Sequence, residues 1–232
     1  MLKEKIKKIY NYILNRAYIS PKSKKELVDK FHQLYYEMHH KTWANTYWLG
    51  VPLEKCPLDC WIYQEIIFKT KPDVIIECGT FKGGSALFLA SILDLIGNGK
   101  VITIDINKEE FKEHPRITYL TGSSISEDII SQVKSLIKEG DKVMVILDSD
   151  HSKKHVLEEL RVYNDLVSLG NYLIVEDSNI NGNPVQKDSG EGPMEAINEF
   201  MKENNQFIID KTKEKFYLTF NPNGYLKKVK EK

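Results

Sequence analysis

Asp73–Ala90, DVIIECGTFKGGSALFLA, is the stretch that decides the fold. Val74, Ile75 and Ile76 make a short apolar run of strand type, Gly79–Gly84 supplies a tight turn, and from Ser85 the pattern becomes helical. A strand, a glycine turn and a helix in that order leave free backbone N–H groups at the helix N-terminus, pointing over the carboxyl end of the strand. That crevice suits a nucleotide or one of its analogues. The glycine spacing is G-x-x-x-G-G and not G-x-G-x-x-G, so the turn by itself fits a plain structural bend equally well.

The acids nearby narrow the ligand. Glu77 is expected at the strand end, facing the crevice, where its carboxylate would repel a pyrophosphate and favour a cationic or hydroxyl-bearing group. S-adenosylmethionine offers an ammonium, a sulfonium and ribose hydroxyls, and carries no phosphate. Further on, VITIDI predicts a second strand ending in Asp105, where doubly wound folds place an acid on ribose hydroxyls.

Beyond this unit, helices alternate with short strands rich in Val, Ile and Tyr. Strands are predicted at 74–77, 101–105, 117–120, 143–147 and 172–176, with helices at 84–96, 126–138, 153–167 and 193–203. The pattern argues an α/β, doubly wound, mostly parallel sheet covered on both faces. The last apolar segments, 206–210 and 216–220, are joined by Lys211–Lys215 and are expected to form an antiparallel hairpin. The lysine-rich tail, Lys227–Lys232, is expected to be disordered.

The N-terminal part reads differently, as helices and an aromatic loop over 1–57 ahead of a catalytic domain over 58–232. Leu2, Ile6, Ile9 and Ile13 recur at helical spacing among lysines, and residues 1–30 hold nine Lys or Arg against three Asp or Glu. Such a helix either lies on an anionic membrane surface, packs on a partner subunit, or covers the body of the protein. Ser20-Pro21 reads as the cap of a second helix that buries Leu27, Phe31, Leu34 and Met38. Residues 42–58, TWANTYWLGVPLEKCPL, concentrate two tryptophans and are expected to fold over the mouth of the site.

Composition excludes some classes. The chain of 232 residues carries 33 basic and 33 acidic side chains, a balance that gives no sign of nucleic-acid binding. Three cysteines without metal-type spacing suit reduced thiols in the cytoplasm. No apolar run approaches the ~20 residues that span a bilayer, and no signal-peptide core is present at the start.

Chemistry concentrates at two further strand ends. VMVIL runs into Asp148-Ser149-Asp150-His151, and YLIV into Glu176-Asp177-Ser178-Asn179. Neighbouring parallel strands bring both clusters to one edge, where the carboxylates repel one another unless a cation intervenes. All-oxygen ligands select Mg²⁺ first, with Mn²⁺ or Ca²⁺ possible. His151 is placed to take a proton from a hydroxyl at neutral pH.

The motifs TYWLGVPLEKCPLD, KPDVIIECGTFKGGSALFLA, LDSDHS, VEDSNING and TFNPNGYLKK, in that order, resemble those of the cephalosporin hydroxylase family of bacterial S-adenosylmethionine-dependent O-methyltransferases. The resemblance covers roughly residues 42–228. It implies the Rossmann-like class I methyltransferase sheet with its last strand antiparallel, and methyl transfer to a hydroxyl of a sugar or secondary metabolite. By the same resemblance Glu77, Gly79 and Ser85 line the methionine end of the cofactor, Asp105 binds ribose, and Gly122 and Ser123 border the adenine. Thr80, Gly83, Ile106 and Asp148 complete the cofactor candidates. Asp148, Glu176 and Asp177 are the metal candidates, His151 the base, and Asp150 either replaces Asp148 or orients His151. Asn181–Gly192 reads as a lid over the acceptor. A self-associating enzyme is expected. The readings set against it are a scaffold subunit dependent on a partner, and a metal-dependent hydroxylase, which lacks the histidine pair of a facial iron triad.

Overall fold

In a computed structural model of the chain, residues 4–6 and 20–231 are described. The expected helix over 2–14 lies outside the described residues except for residues 4–6, which are helical. Helix α1 spans Pro21–Glu37, with the Ser20 hydroxyl accepting from the Ser23 N–H as its cap. A hairpin of β1 (Tyr47–Trp48) and β2 (Val51–Pro52) follows, then α2 (Pro57–Thr70).

The doubly wound sheet starts with β3 (Val74–Cys78), α3 (Gly84–Ile96), β4 (Lys100–Asp105) and β5 (Ile117–Thr121). It continues through α4 (Glu127–Leu136), β6 (Val143–Leu147), α5 (Lys153–Tyr163), β7 (Tyr172–Val175) and α6 (Pro193–Glu203). Strands β8 (Phe207–Ile209) and β9 (Tyr225–Lys228) complete it. The strand order is β5-β4-β3-β6-β7-β9-β8, parallel as far as β7, with β9 antiparallel to both its neighbours. This is the class I methyltransferase arrangement expected from the sequence.

Alternation along each strand splits the core into two layers. Val74, Ile76 and Val145 face Ile129, Leu160 and Phe200 of α4, α5 and α6, while Ile75, Met144 and Ile174 face Ile66 and Leu89 of α2 and α3. Each strand is apolar on both faces because each face is roofed by helices.

Two expectations at the C-terminal end fail, for one reason. The partner of β8 is β9 and not segment 216–220. That segment is held by the buried Asp59 carboxylate, which accepts from the Thr219 hydroxyl, the Phe220 N–H and the Tyr225 hydroxyl at 2.5, 2.8 and 2.7 Å. The place in the sheet goes to Tyr225–Lys228, whose last two residues open the 227–232 tail expected to be disordered. Tyr225 and Leu226 are fully buried, and the Lys228 ammonium reaches the Val167 carbonyl at 2.8 Å beyond the end of α5. Alternation with long amphipathic lysines disguised a strand as a charged tail.

The helical extension is knitted into the body. Leu27, Phe31 and Leu34 of α1, expected to be buried, lie exposed on its outer face. Its inner face presents His32, stacked on Phe220 at 5.7 Å, with Nε2 3.0 Å from the Asn179 amide. Burial pushes the His32 imidazole down to about 4 despite the charge of Asp29. A base with a depressed folded-state pKa contributes stability above its unfolded value of ~6.5 and loses it as pH falls toward the folded value. Wild type should therefore lose up to ~3 kcal/mol relative to His32→Asn between pH 6.5 and 4, measured by urea unfolding at each pH; parallel profiles for the two proteins refute this role.

Candidate active site

Sheet register brings the candidate residues together. Cys78 pairs with Leu147 and Leu147 with Val175, so the residues after β3, β6 and β7 leave the sheet side by side. The Asp148 N–H binds the Cys78 carbonyl at 2.7 Å and the Glu176 N–H the Leu147 carbonyl at 2.9 Å. Gly79, at φ +103°, passes so close to this crossing that a Cβ would stand 1.9 Å from the Asp148 carbonyl oxygen. No other residue fits there.

A cavity of about 890 Å³ opens over these strand ends. Of the cofactor candidates, Gly79, Thr80, Ser85, Asp105, Ile106, Gly122, Ser123 and Asp148 line it. Glu77, expected to face the crevice, lies fully buried outside its lining. Its Oε2 accepts from the Thr103 hydroxyl at 2.7 Å, whereas Oε1 is buried with no partner among the described residues. Burial is the main cause that pushes its carboxyl up to about 7, against the pull of Lys55, Ser85 and Thr103. Gly83 also stands off the wall, at φ +81°, capping α3. Asp105 holds the glycine turn closed: one oxygen accepts the N–H groups of Thr80 and Phe81, at 3.1 and 2.9 Å, and the other that of Asn107 at 2.8 Å.

At the far edge of the cavity Asp148, His151 and Asp177 converge, each offering a ligand atom within 4.8 Å of the others. His151 Nε2 lies 3.0 Å from Asp177 and 3.4 Å from Asp148 Oδ1. Burial draws the imidazole down, but the bonds and charges of Asp148 and Asp177 outweigh it and push it up to about 11. Asp150, read as replacing Asp148 or as orienting His151, lies on the cavity wall outside the converging set of Asp148, His151 and Asp177. It is exposed, and its carboxylate accepts the Ser152 N–H at 2.7 Å, closing the turn into α5.

The residue that sequence reasoning missed is Lys55, from the loop before α2. Its buried ammonium bridges Asp148 Oδ2 at 2.5 Å and Glu176 Oε1 at 2.7 Å. Burial works against the Asp148 charge, yet Lys55 and His151 hold its carboxyl below the usual range. Glu176, buried beside Asp148, is pushed upward, with Lys55 opposing. The crowded acids thus contain an internal cation, and the outer set is two carboxylates paired with an imidazole. No local motif marks Lys55, since its partners lie 93 and 121 residues away. Glu159 was missed as well. Fully buried on α5, it accepts from the Ser124 and Ser149 hydroxyls at 2.5 and 2.7 Å, tying the loop after β5 to the loop that carries Asp148.

The profile of the family described as Rhamnosyl O-methyltransferase/CmcI matches residues 40–229. The chain belongs to the Rhamnosyl O-methyltransferase/CmcI family. This is the group to which the motifs were matched above under its cephalosporin hydroxylase name. A rhamnosyl O-methyltransferase of Mycobacterium leprae is 36% identical over 96% of this chain and 98% of its own length. One from Mycobacterium bovis is 39% identical over 86% of this chain and 84% of its own. Among solved structures, apo CmcI superposes with a TM-score of 0.63 at 18% identity, covering 81% of this chain and 77% of that one. CmcI with Mg and SAM gives 0.61 at 18% identity, covering 81% and 78%. Both share the fold of this family member.

Replacing Lys55 by methionine leaves buried Glu176 without its counter-charge and half-buried Asp148 with His151 alone. A loss of ~3–5 kcal/mol in unfolding free energy is expected at neutral pH. Urea denaturation checks it, and a loss below ~1 kcal/mol would show that the bridge carries little.

Proposed function

We propose that the chain is an S-adenosylmethionine-dependent, divalent-metal-assisted O-methyltransferase acting on a sugar hydroxyl. The observation that carries the reading is the convergence of Asp148, Asp177 and His151 on the rim of the cavity walled by the glycine turn. Membership in a family whose relatives are named for rhamnosyl O-methylation supports it.

The residues fit both groups. The carboxylates that wall the cavity, Asp105 and Asp148 among them, favour a cationic, hydroxyl-bearing ligand over a phosphate. Gly79, Thr80 and Phe81 of the turn and the Gly122-Ser123 loop supply the remaining wall. Asp148 and Asp177 would hold Mg²⁺, or Mn²⁺ or Ca²⁺, through hard oxygens, with Glu176 behind them on Lys55. Bound there, the ion would lower the pKa of the acceptor hydroxyl. In the transfer the sulfonium carbon–sulfur bond breaks as the carbon–oxygen bond forms, leaving a neutral thioether and releasing one proton. His151 is the base in place for it. The charges of Asp148 and Asp177 hold a proton on it, so it would act as base only after releasing that proton to solvent, which a cation taking up those charges would favour.

Asp148→Asn and Asp177→Asn should each lower turnover by ~10² or more and abolish Mg²⁺ binding by calorimetry, while S-adenosylmethionine binding stays near wild type. His151→Ala should lose ~10²–10⁴ in rate. Full turnover after verified metal removal refutes the metal's part, and no S-adenosylmethionine binding at all refutes the whole reading.

The exposed stripe of Leu27, Phe31 and Leu34 on α1 supports self-association through that helix. Peripheral contact with a membrane through the basic N-terminal segment, of which only residues 4–6 are described, is the alternative. No helix among the described residues is long and apolar enough to cross a membrane, and the three buried free cysteines suit a cytoplasmic setting. Sedimentation should show a dimer or larger that Leu27→Glu/Leu34→Glu dissociates; a wild-type monomer refutes self-association.

A further inference from the structure

Residues 219–224, TFNPNG, form a turn that lies directly behind the second acid cluster. Asn223 takes a left-handed φ of +63°, and Gly224 comes so close to β7 that a Cβ would stand 2.2 Å from the Val175 carbonyl oxygen. The turn is pressed along the chain as it leaves the strand. The Val175 N–H donates to the Gly224 carbonyl at 2.9 Å and the Asp177 N–H to Asn221 Oδ1 at 3.3 Å. The Ser178 hydroxyl donates to the Pro222 carbonyl at 2.7 Å and the Asn179 N–H to the Phe220 carbonyl at 3.1 Å. Three of these four acceptors are backbone carbonyls, which any residue supplies. The fourth is the side chain of Asn221.

Asn221 is fully buried, and both ends of its amide are engaged. Nδ2 donates to the Tyr63 hydroxyl of α2 at 2.8 Å, and that hydroxyl is in turn hydrogen-bonded to the Glu176 carboxylate. One amide therefore reaches both acids that follow β7, Asp177 directly and Glu176 through the phenol. The Asn221 backbone is fixed as well: its N–H donates to the Thr219 hydroxyl oxygen at 3.0 Å, and that hydroxyl donates to the buried Asp59 carboxylate. Asp177 stands at φ +52°, a left-handed conformation that is costly for a residue with a side chain and persists only where the surroundings over-determine it. With that bend in place, the Asp177 carboxylate meets His151 Nε2 at 3.0 Å while Glu176, one residue earlier, meets Lys55 at 2.7 Å.

We infer that Asn221 is a positioning residue for the metal-binding acids: its amide, together with the Tyr63 hydroxyl, sets Asp177 and Glu176 in the relative orientation that takes a divalent ion. The inference rests on the metal-assisted reading above. Neither Asn221 nor Tyr63 lines the cavity, so both act only through the two acids.

Mn²⁺ is the probe, since the free aqueous ion gives an electron paramagnetic resonance signal that is lost on binding, and the titration needs neither cofactor nor turnover. Asn221→Ala should weaken Mn²⁺ binding ~10-fold or more, the scale expected when a group that orients a metal ligand is removed. Calorimetry should find its S-adenosylmethionine affinity near wild type. Tyr63→Phe, which removes one oxygen and opens no large cavity, should weaken Mn²⁺ binding at least ~3-fold. A merely structural turn gives the opposite split, a lowered urea midpoint with Mn²⁺ affinity unchanged in the folded protein, and that result overturns the inference. Equal losses of Mn²⁺ and S-adenosylmethionine binding overturn it too, because they show general disruption. If Asn221→Ala does not fold, Tyr63→Phe decides alone, and wild-type Mn²⁺ affinity in that variant overturns the assignment. Failure of the parent reading is separate: it appears as no Mn²⁺ bound by wild type itself.

Discussion

Several carboxylates brought to one edge of a parallel sheet repel one another, and the structure around them is arranged to make that tolerable. Asp148 and Glu176 leave adjacent strands side by side, Glu176 buried and Asp148 half-buried, and an uncompensated charge at such a buried position costs several kcal/mol. The Lys55 ammonium between them is the compensation. Because Asp148 spends one oxygen on Lys55 and turns the other to His151, it belongs to both the structural pair and the outer cluster.

This explains why the loop ahead of α2 cannot be an appendage. Lys55 comes from it, and the same loop brings the Pro52 carbonyl against Gly84, where a Cβ would approach to 2.0 Å. Trp48 meets Phe88 edge to face at 4.9 Å and donates to the Ser91 hydroxyl. The first turn of α3, which borders the cofactor side of the cavity, is thereby clamped by the segment that neutralises the acids. Asp59 extends the clamp to the C-terminal end by pinning Thr219 and Phe220, against which His32 and Trp43 pack.

What was legible in the sequence follows from the range of each interaction. The strands and helices of the doubly wound sheet declared themselves because apolar periodicity is local, and the acid clusters did so because each directly follows an apolar strand. Glu77 was placed correctly along the chain but on the wrong surface, since its strand is roofed on both faces and alternation gives no sign of which side is wet. Lys55, Glu159 and the β9 strand escaped notice because their meaning depends on partners far away. A lone lysine between a glutamate and a cysteine looks like solvated surface until two buried carboxylates are seen to need it.

The division of charge also bears on how the site changes state. Asp148 and Asp177 hold His151 as a cation, so the acids of the rim are partly neutralised from within. A divalent ion competing for the same carboxylates would weaken their hold on the His151 proton while leaving Lys55 paired with Glu176 behind. The inner lysine would keep Asp148 in register with or without the ion, and on the proposed function the outer histidine alone would change role. A site built from acids alone would have to collapse or take up protons in the absence of metal. One fixed internal cation lets the acids keep their geometry and leaves the ion to control the chemistry.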